Sequence, residues 1–294
     1  MGRDEAMPQR VIPSVSSLMH ISRPQIAAQA ALYSVLGAYL SAGFVGIFAW
    51  PVALAAVVVG LIVSFGFVIN DYADVELDQR SKPQRPLPLG ELSLAGALRV
   101  MLGLALGALA VALALPTTLC VFACVNLALA ALYSLRLKRT VLLGNIVMAS
   151  LNSSVLLFGA LATGRITALV WVVAGISFLY TLAQEVLYTV ADSEGDAAGG
   201  IVTTAIYFGQ EPSLQLFRAL ILLAAAAALV PWWLTQSSSL YLIALLVCTI
   251  VPIVSYILPL TMRAEIDALT QACDAVAVVR ATSLIPLMLL PGLG

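Results

Sequence analysis

Nine times along its 294 residues this chain runs apolar for about 20 residues, the length an α-helix needs to cross a hydrocarbon core. The runs fall at 25–48, 52–70, 93–114, 116–134, 141–162, 167–191, 214–234, 239–260 and 272–290. A helix that is apolar all round has to be buried in protein or in lipid. In lipid, backbone N–H and C=O groups must also be satisfied internally, which leaves helices and closed barrels. With 62% hydrophobic and 10% charged residues and a mean hydropathy of +1.04, the expectation is an all-α, multi-pass transmembrane bundle of about nine helices. Residues 1–22 read as an N-terminal tail and 23–294 as a single transmembrane domain. The tail carries Arg3, Asp4, Glu5 and Arg10 but no compact apolar core followed by a small-residue cleavage site, so no signal peptide is expected.

Charge fixes the expected orientation. Nine crossings place the tail and the loops after the second, fourth, sixth and eighth runs on one side, together with all the acids and every Lys and Arg except Arg165. Arg99, Arg218 and Arg280 are counted there as lying at adjoining helix ends. The positive-inside rule makes that side cytoplasmic, and a central cavity is expected to open onto it. The four cysteines, Cys120, Cys124, Cys248 and Cys273, form no Cys-x-x-Cys pair and read as small buried hydrophobes. A net charge of −1 and the lack of a basic stripe exclude nucleic-acid binding. No nucleophile triad, Walker loop or dinucleotide fingerprint is present.

Seven of the 15 carboxylates fall in two short clusters that each close an apolar run. In the first, Asn70, Asp71, Asp74 and Asp78 have the spacing of one helix face, while Glu76 points elsewhere. Like charges so arranged repel and raise carboxylate pKa values; a divalent cation removes both problems. Hard oxygen ligands suit Mg²⁺, which takes one or two carboxylates and completes its shell with water and substrate phosphate oxygens. Arg80, Lys82 and Arg85 follow in a loop stiffened by Pro83, Pro86 and Pro88, cations placed to contact such an anion.

Asp192 and Asp196 repeat the four-residue spacing at the end of the sixth run, a loose internal echo. Glu185, Tyr188 and Asp192 share one helix face. An ionisable residue inside a membrane is a functional candidate by default; Glu185 could orient an acceptor, take a proton, stabilise positive charge or simply be a neutral hydrogen-bonded group. Tyr188 suits cation–π stabilisation of a carbocation or an ordinary interfacial position. Lys138 and Arg139 either reach a diphosphate or fix topology, and Asn145 is open in the same way. Arg23 reads as a snorkelling anchor or a polar contact to substrate, and His20 as an interfacial residue.

Asn70-Asp71-x-x-Asp74-x-x-x-Asp78 with Arg85-Pro86-Leu87 and Gly90, then Tyr133-Ser134 with Lys138-Arg139 and Gly144-Asn145, then Asp192-x-x-x-Asp196 with Gly195, together resemble the UbiA superfamily of intramembrane prenyltransferases. The resemblance spans roughly residues 20–290. It implies ionisation of an isoprenyl diphosphate with two Mg²⁺ ions, then prenyl transfer to a hydrophobic or aromatic acceptor. The implied metal ligands are Asn70, Asp71, Asp74, Asp78, Asp192 and Asp196. Asn70, Arg80, Lys82, Arg85, Lys138, Arg139 and Asn145 would bind the diphosphate. Asp71, Asp74, Asp192, Asp196, Glu185 and Tyr188 would form the catalytic set. Some members of the superfamily are terpene cyclases, which is the alternative; a transporter fits less well, since the acids sit at one face and not at the midplane. Two departures stand out. Gly200 is followed by Ile201-Val202-Thr203-Thr204 where Lys or Arg is common in the family, and no basic residue is expected deep in the bundle to hold an aromatic carboxylate.

Overall fold

The computed structural model describes residues 14–263 and 265–291; Arg3, Asp4, Glu5 and Arg10 of the expected tail lie outside them. Among the described residues every regular element is helical. A short helix α1 (Val15–Ser22) leads into α2 (Pro24–Gly46), α3 (Trp50–Ala73), α4 (Val75–Ser81), α5 (Leu94–Ala112), α6 (Thr117–Leu135), α7 (Leu143–Leu161), α8 (Ala168–Ala191), α9 (Ser193–Ala198) and α10 (Thr204–Phe208). Then follow α11 (Gln210–Thr235), α12 (Ser239–Arg263) and α13 (Ile266–Met288). Nine of these described helices, α2, α3, α5 to α8 and α11 to α13, are long and apolar enough to cross a membrane, one for each expected run. The chain is an integral, multi-pass membrane protein. Helix α13 starts earlier than the apolar run at 272, because Asp267 in its first turn complements the helix dipole.

Helix α2 packs against α3 and α7, α3 against α5 and α6, α7 against α8, and α8 against α11 and α13. One core joins α2, α3, α5, α6 and α7 around Val58, Leu119 and Phe158. A second joins α8, α11, α12 and α13 around Leu187, Phe217, Ile257 and Val276. Lipid tails are as apolar as leucine, so helices in a membrane associate through close packing and not through escape from water. The α2–α7 crossing shows this most directly. A Cβ on Gly159 would lie 1.7 Å from the Ser34 carbonyl oxygen, and one on Gly37 would lie 2.0 Å from that of Leu156. Only glycine lets the two backbones touch.

The two helices that carry the acidic clusters end alike. Helices α3 and α8 are each 24 residues long, and each is followed by an aspartate outside helical geometry, Asp74 (φ −103°, ψ 7°) and Asp192 (φ −89°, ψ 1°). Both lie in the bridge region of backbone space. Hydrogen bonds of helical register nevertheless run through both joints, from Asp74 N to Asn70 O (3.0 Å) and from Asp192 N to Tyr188 O (2.9 Å). The expected single helical stripe from Asn70 to Asp78 is therefore divided. Asn70 and Asp71 end α3, Asp74 forms the joint and Asp78 belongs to α4. Aspartate is a poor interior helix residue, and the carboxylates four apart repel, so the helix bends where the acids begin.

Candidate active site

The acidic ends of α3 and α8 flank a cavity of about 580 Å³. Asn70, Asp74, Asp78, Lys82 and Arg85 line it from the α3–α4 side, Lys138, Arg139 and Asn145 from the α6–α7 connection, and Glu185, Tyr188, Asp192 and Asp196 from the α8–α9 side. The fold thus brings together twelve of the residues singled out from sequence. Asp71 and Arg80 are not on the wall; Arg80 is exposed.

Asp71 is 3% exposed and turned behind the wall. Its Oδ1 accepts from Arg23 Nη2 at 3.0 Å and from Arg85 Nη1 at 2.9 Å, and the same Arg85 nitrogen lies 2.6 Å from Asp78 Oδ2. Arg23 can reach it because of its backbone. It adopts a left-handed conformation (φ 46°) that closes α1 through a hydrogen bond from its N–H to Met19 O and starts α2. Pro24 behind it disfavours the right-handed helical alternative. The Arg23 guanidinium also lies 4.5 Å over the ring of Phe67, which lines the cavity. An ion-pair chain, Arg23–Asp71–Arg85–Asp78, so ties α1 and the proline-rich loop to the end of α3.

Asp74 is held from the other side. Lys138 Nζ lies 2.6 Å from Asp74 Oδ2 and donates to Asn70 Oδ1 at 3.1 Å; Arg139 Nη2 is 3.7 Å from Asp74 Oδ1. Burial pulls the Lys138 ammonium below its ordinary pKa, opposed by the hydrogen bond and charge of Asp74. The three aspartates of the first cluster all face side-chain cations. Those of the second, Asp192 and Asp196, and the Glu185 carboxylate upstream make no hydrogen bond or ion pair with a described residue; Lys82 and Lys138 act on Asp196 only from a distance. Burial, and next the neighbouring Asp192, push Asp196 up to about 6.

That electrostatic imbalance bears on a metal. The donors at this cavity are hard oxygens, and Asp192 and Asp196, with Lys82 and Lys138 near Asp196 but no ion pair to either among the described residues, form a negative region of the kind a divalent cation relieves. Among the described residues no three carboxylate, histidine or cysteine side chains converge on one point. The set therefore fits an ion that takes few protein ligands and completes its shell with water and phosphate, as Mg²⁺ does.

Several side chains at or near the cavity had a fainter sequence signal. Thr204, in the segment where a base was expected after Gly200, accepts from Leu142 N at 3.0 Å, so its own hydroxyl hydrogen goes to Asn145 Oδ1 at 2.8 Å. The Asn145 amide is thereby turned to offer its NH₂ group. Thr203 lines the cavity, is 4% exposed, and its Oγ1 has no partner among the described residues. Arg280 corrects an expectation outright. It is not at a helix end but about four turns inside α13, donating to Gln184 Oε1 at 3.2 Å and Asn152 Oδ1 at 2.8 Å. The bundle does contain a deep base. The charge count missed it because the polar first turn of α13 moves the true helix start back to Ile266.

The UbiA prenyltransferase family model matches residues 31–268. Digeranylgeranylglyceryl phosphate synthase of Methanoculleus marisnigri is 44% identical over 199 residues, 67% of this chain and 70% of its own. The protein of the same name from Natronomonas pharaonis is 30% identical over 233 residues, 79% of this chain and 83% of its own. A solved structure described as digeranylgeranylglyceryl phosphate synthase in membranes superposes with a TM-score of 0.75 at 25% identity, covering 94% of this chain and 98% of that one. A UbiA homolog from Archaeoglobus fulgidus bound to GPP and Mg²⁺ gives 0.66 at 17% identity over 92% and 99% of the two chains, a likeness of fold.

Proposed function

This chain belongs to the UbiA prenyltransferase family, and from that membership we propose that it transfers an isoprenyl group from its diphosphate to the free hydroxyl of a lipid-linked glyceryl phosphate. Of the hydrophobic or aromatic acceptor expected from sequence, the relatives' name supports a lipid-like acceptor of this class over an aromatic one, and transfer over cyclisation. The observation that carries the reading is the cavity's polarity. Acidic and basic groups crowd the end formed by the helix joints, and inward along α8 they give way to a single unpaired carboxylate, Glu185.

Asp74 and Asp78 on one wall and Asp192 and Asp196 on the other would hold Mg²⁺, two ions in all, with Asn70 beside them. Bound there, the metal supplies charge neutralisation for the diphosphate. Lys82, Arg85, Lys138, Arg139 and the Asn145 amide then contact the remaining phosphate oxygens; Arg80, exposed off the wall, has no place in this set. Asp71 acts one step back, holding Arg85 in position. The C1–O bond of the allylic diphosphate breaks with its electron pair leaving on the diphosphate, where the fixed cations stabilise the developing charge. The acceptor hydroxyl oxygen attacks C1, and its proton passes to Glu185. Tyr188, on the same wall, faces the reacting carbon. The bundle interior keeps water from the cation.

All these groups belong on the cytoplasmic side, as the Lys and Arg distribution supports. One transmembrane domain from residue 23 onward carries the whole site. The test is purified protein in detergent with Mg²⁺ and geranylgeranyl diphosphate, with and without geranylgeranylglyceryl phosphate. Acceptor-dependent diphosphate release is the expected result, and Glu185→Gln is expected to suppress ether product. Hydrocarbon formed without acceptor would replace the reading with cyclisation.

A further inference from the structure

Arg280 is a cation deep in a membrane bundle whose hydrogen-bond partners are neutral. Its guanidinium reaches Gln184 on α8 and Asn152 on α7 from α13 and lies 5.9 Å over the ring of Tyr33. A half-buried charge this deep in a membrane bundle, with the Glu185 carboxylate within electrostatic reach, is a functional candidate by default. Its role follows from what a guanidinium can and cannot do.

A guanidinium only donates. The amide atom that Gln184 turns to Arg280 must be its oxygen, so its NH₂ group must point the other way. There it meets Tyr188, with Gln184 Nε2 donating to the phenol oxygen at 2.7 Å. Asn152 is set by the same logic: its oxygen faces Arg280, and its Nδ2 donates to Met148 O at 3.1 Å. Since the Tyr188 oxygen is accepting, its own O–H hydrogen is directed elsewhere, and no described residue accepts it. Tyr188 lines the cavity one helical turn below Asp192. The hydrogen is therefore free to point into the cavity.

We propose that Arg280 is a positioning residue: through Gln184 it fixes the direction of the Tyr188 O–H, making Tyr188 a hydrogen-bond donor to the ester oxygen that leaves with the diphosphate. The inference rests on the prenyl-transfer reading and deepens it. One turn below the carboxylates that face the metal is where the ester oxygen lies if the phosphates sit level with Asp192 and the prenyl chain runs inward. A donor fixed in advance stabilises that oxygen only as charge collects on it, so it lowers the barrier more than it tightens binding.

Gln184→Glu separates this role from a structural one. The carboxylate keeps the contact to Arg280 and strengthens it, but it cannot donate to Tyr188. The phenol turns round and gives its hydrogen to Glu, away from the cavity. The expected result is a protein at least as heat-stable as the wild type, with kcat lowered roughly tenfold or more and the KM for the allylic diphosphate within about twofold. Tyr188→Phe should show the same fall, and the double variant no further loss, as two changes to one interaction require. Arg280→Lys, which keeps the charge but not the planar fork that holds both amides, should lower kcat in the same way. Wild-type turnover in Gln184→Glu, or losses that multiply in the double variant, would overturn the proposal. A wild-type protein inert towards allylic diphosphates would overturn the prenyl-transfer reading itself, so the two failures are told apart.

Discussion

Asp71 separates two views of the first acidic cluster, and Asp71→Asn decides between them. If Asp71 were a metal ligand, the change would remove activity and leave the metal-free protein about as stable as before. The geometry says otherwise. Its Oδ1 serves two arginines at 3.0 and 2.9 Å, and Asn, being neutral, keeps the shape but not the charge. A hydrogen bond to a charged partner is worth about twice a neutral one, a difference of about 1 kcal/mol each. Two contacts make about 2 kcal/mol. The loss stays below the roughly 3–5 kcal/mol of a fully buried broken pair, because Arg23 and Arg85 are 25% and 18% exposed and Arg85 retains Asp78. In a chain of 294 residues about 2 kcal/mol lowers Tm by roughly 3 °C. The assay is melting of metal-free protein in detergent for Asp71→Asn, Arg23→Met and the double variant, with Asp192→Asn as reference. Asp192 has no ion-pair partner among the described residues, so its change should leave Tm nearly unmoved while removing Mg²⁺-dependent diphosphate release. An unchanged Tm for Asp71→Asn, or additive losses with Arg23→Met, would refute the ion-pair account and return Asp71 to the metal.

Three further outcomes are expected. Thr203 presents a buried, unpartnered hydroxyl to the cavity, so Thr203→Val should raise the KM for the diphosphate about fivefold, in line with one lost hydrogen bond of about 1 kcal/mol, at unchanged Tm; an unaltered KM would remove it from the binding set. With Asp196 pushed up to about 6, its carboxyl holds a proton in the metal-free protein as pH falls through that value. Mg²⁺ must displace the proton, so calorimetry should find affinity about fourfold weaker at pH 5.5 than at pH 7.5, and affinity independent of pH would contradict the assignment. Gly159→Ala and Gly103→Ala should shift stability in opposite directions. The first drives a Cβ into a carbonyl, while the second meets nothing within 4 Å and gains helix propensity of up to about 1 kcal/mol; melting curves moving the same way would show that the α2–α7 contact yields more readily than its geometry states.

The membrane spans were legible because their signal is a sum over some 20 residues, and no single position can erase it. The residues that meet at the cavity were legible for a related reason: Asp74, Asp78, Asp192 and Asp196 are costly where they stand, and charge in an apolar chain announces itself. What escaped depends on direction. Nothing in the spacing of Asn70, Asp71, Asp74 and Asp78 says that the helix turns aside at Asp74, or that Asp71 then faces Arg23 from another helix. The orientation of an amide leaves no mark in the one-letter code either: Gln184 was not singled out, and Asn145, expected at the diphosphate, showed which way its amide turns only once Thr204 was placed beside it. Arg280 itself was misplaced by six residues of polar helix ahead of an apolar run.

The glycine contact between α2 and α7 bears on any attempt to alter the length of prenyl chain the cavity accepts. With Gly159 against Ser34 and Gly37 against Leu156, the two helices form a fixed post running through the bundle. They have no slack to draw closer, and parting them would open a gap that lipid tails are too bulky to fill. Extra room has to be carved from side chains facing the cavity, such as Phe67, Leu77 and Met148, and a library that varied the helix crossing would mostly return proteins that do not assemble.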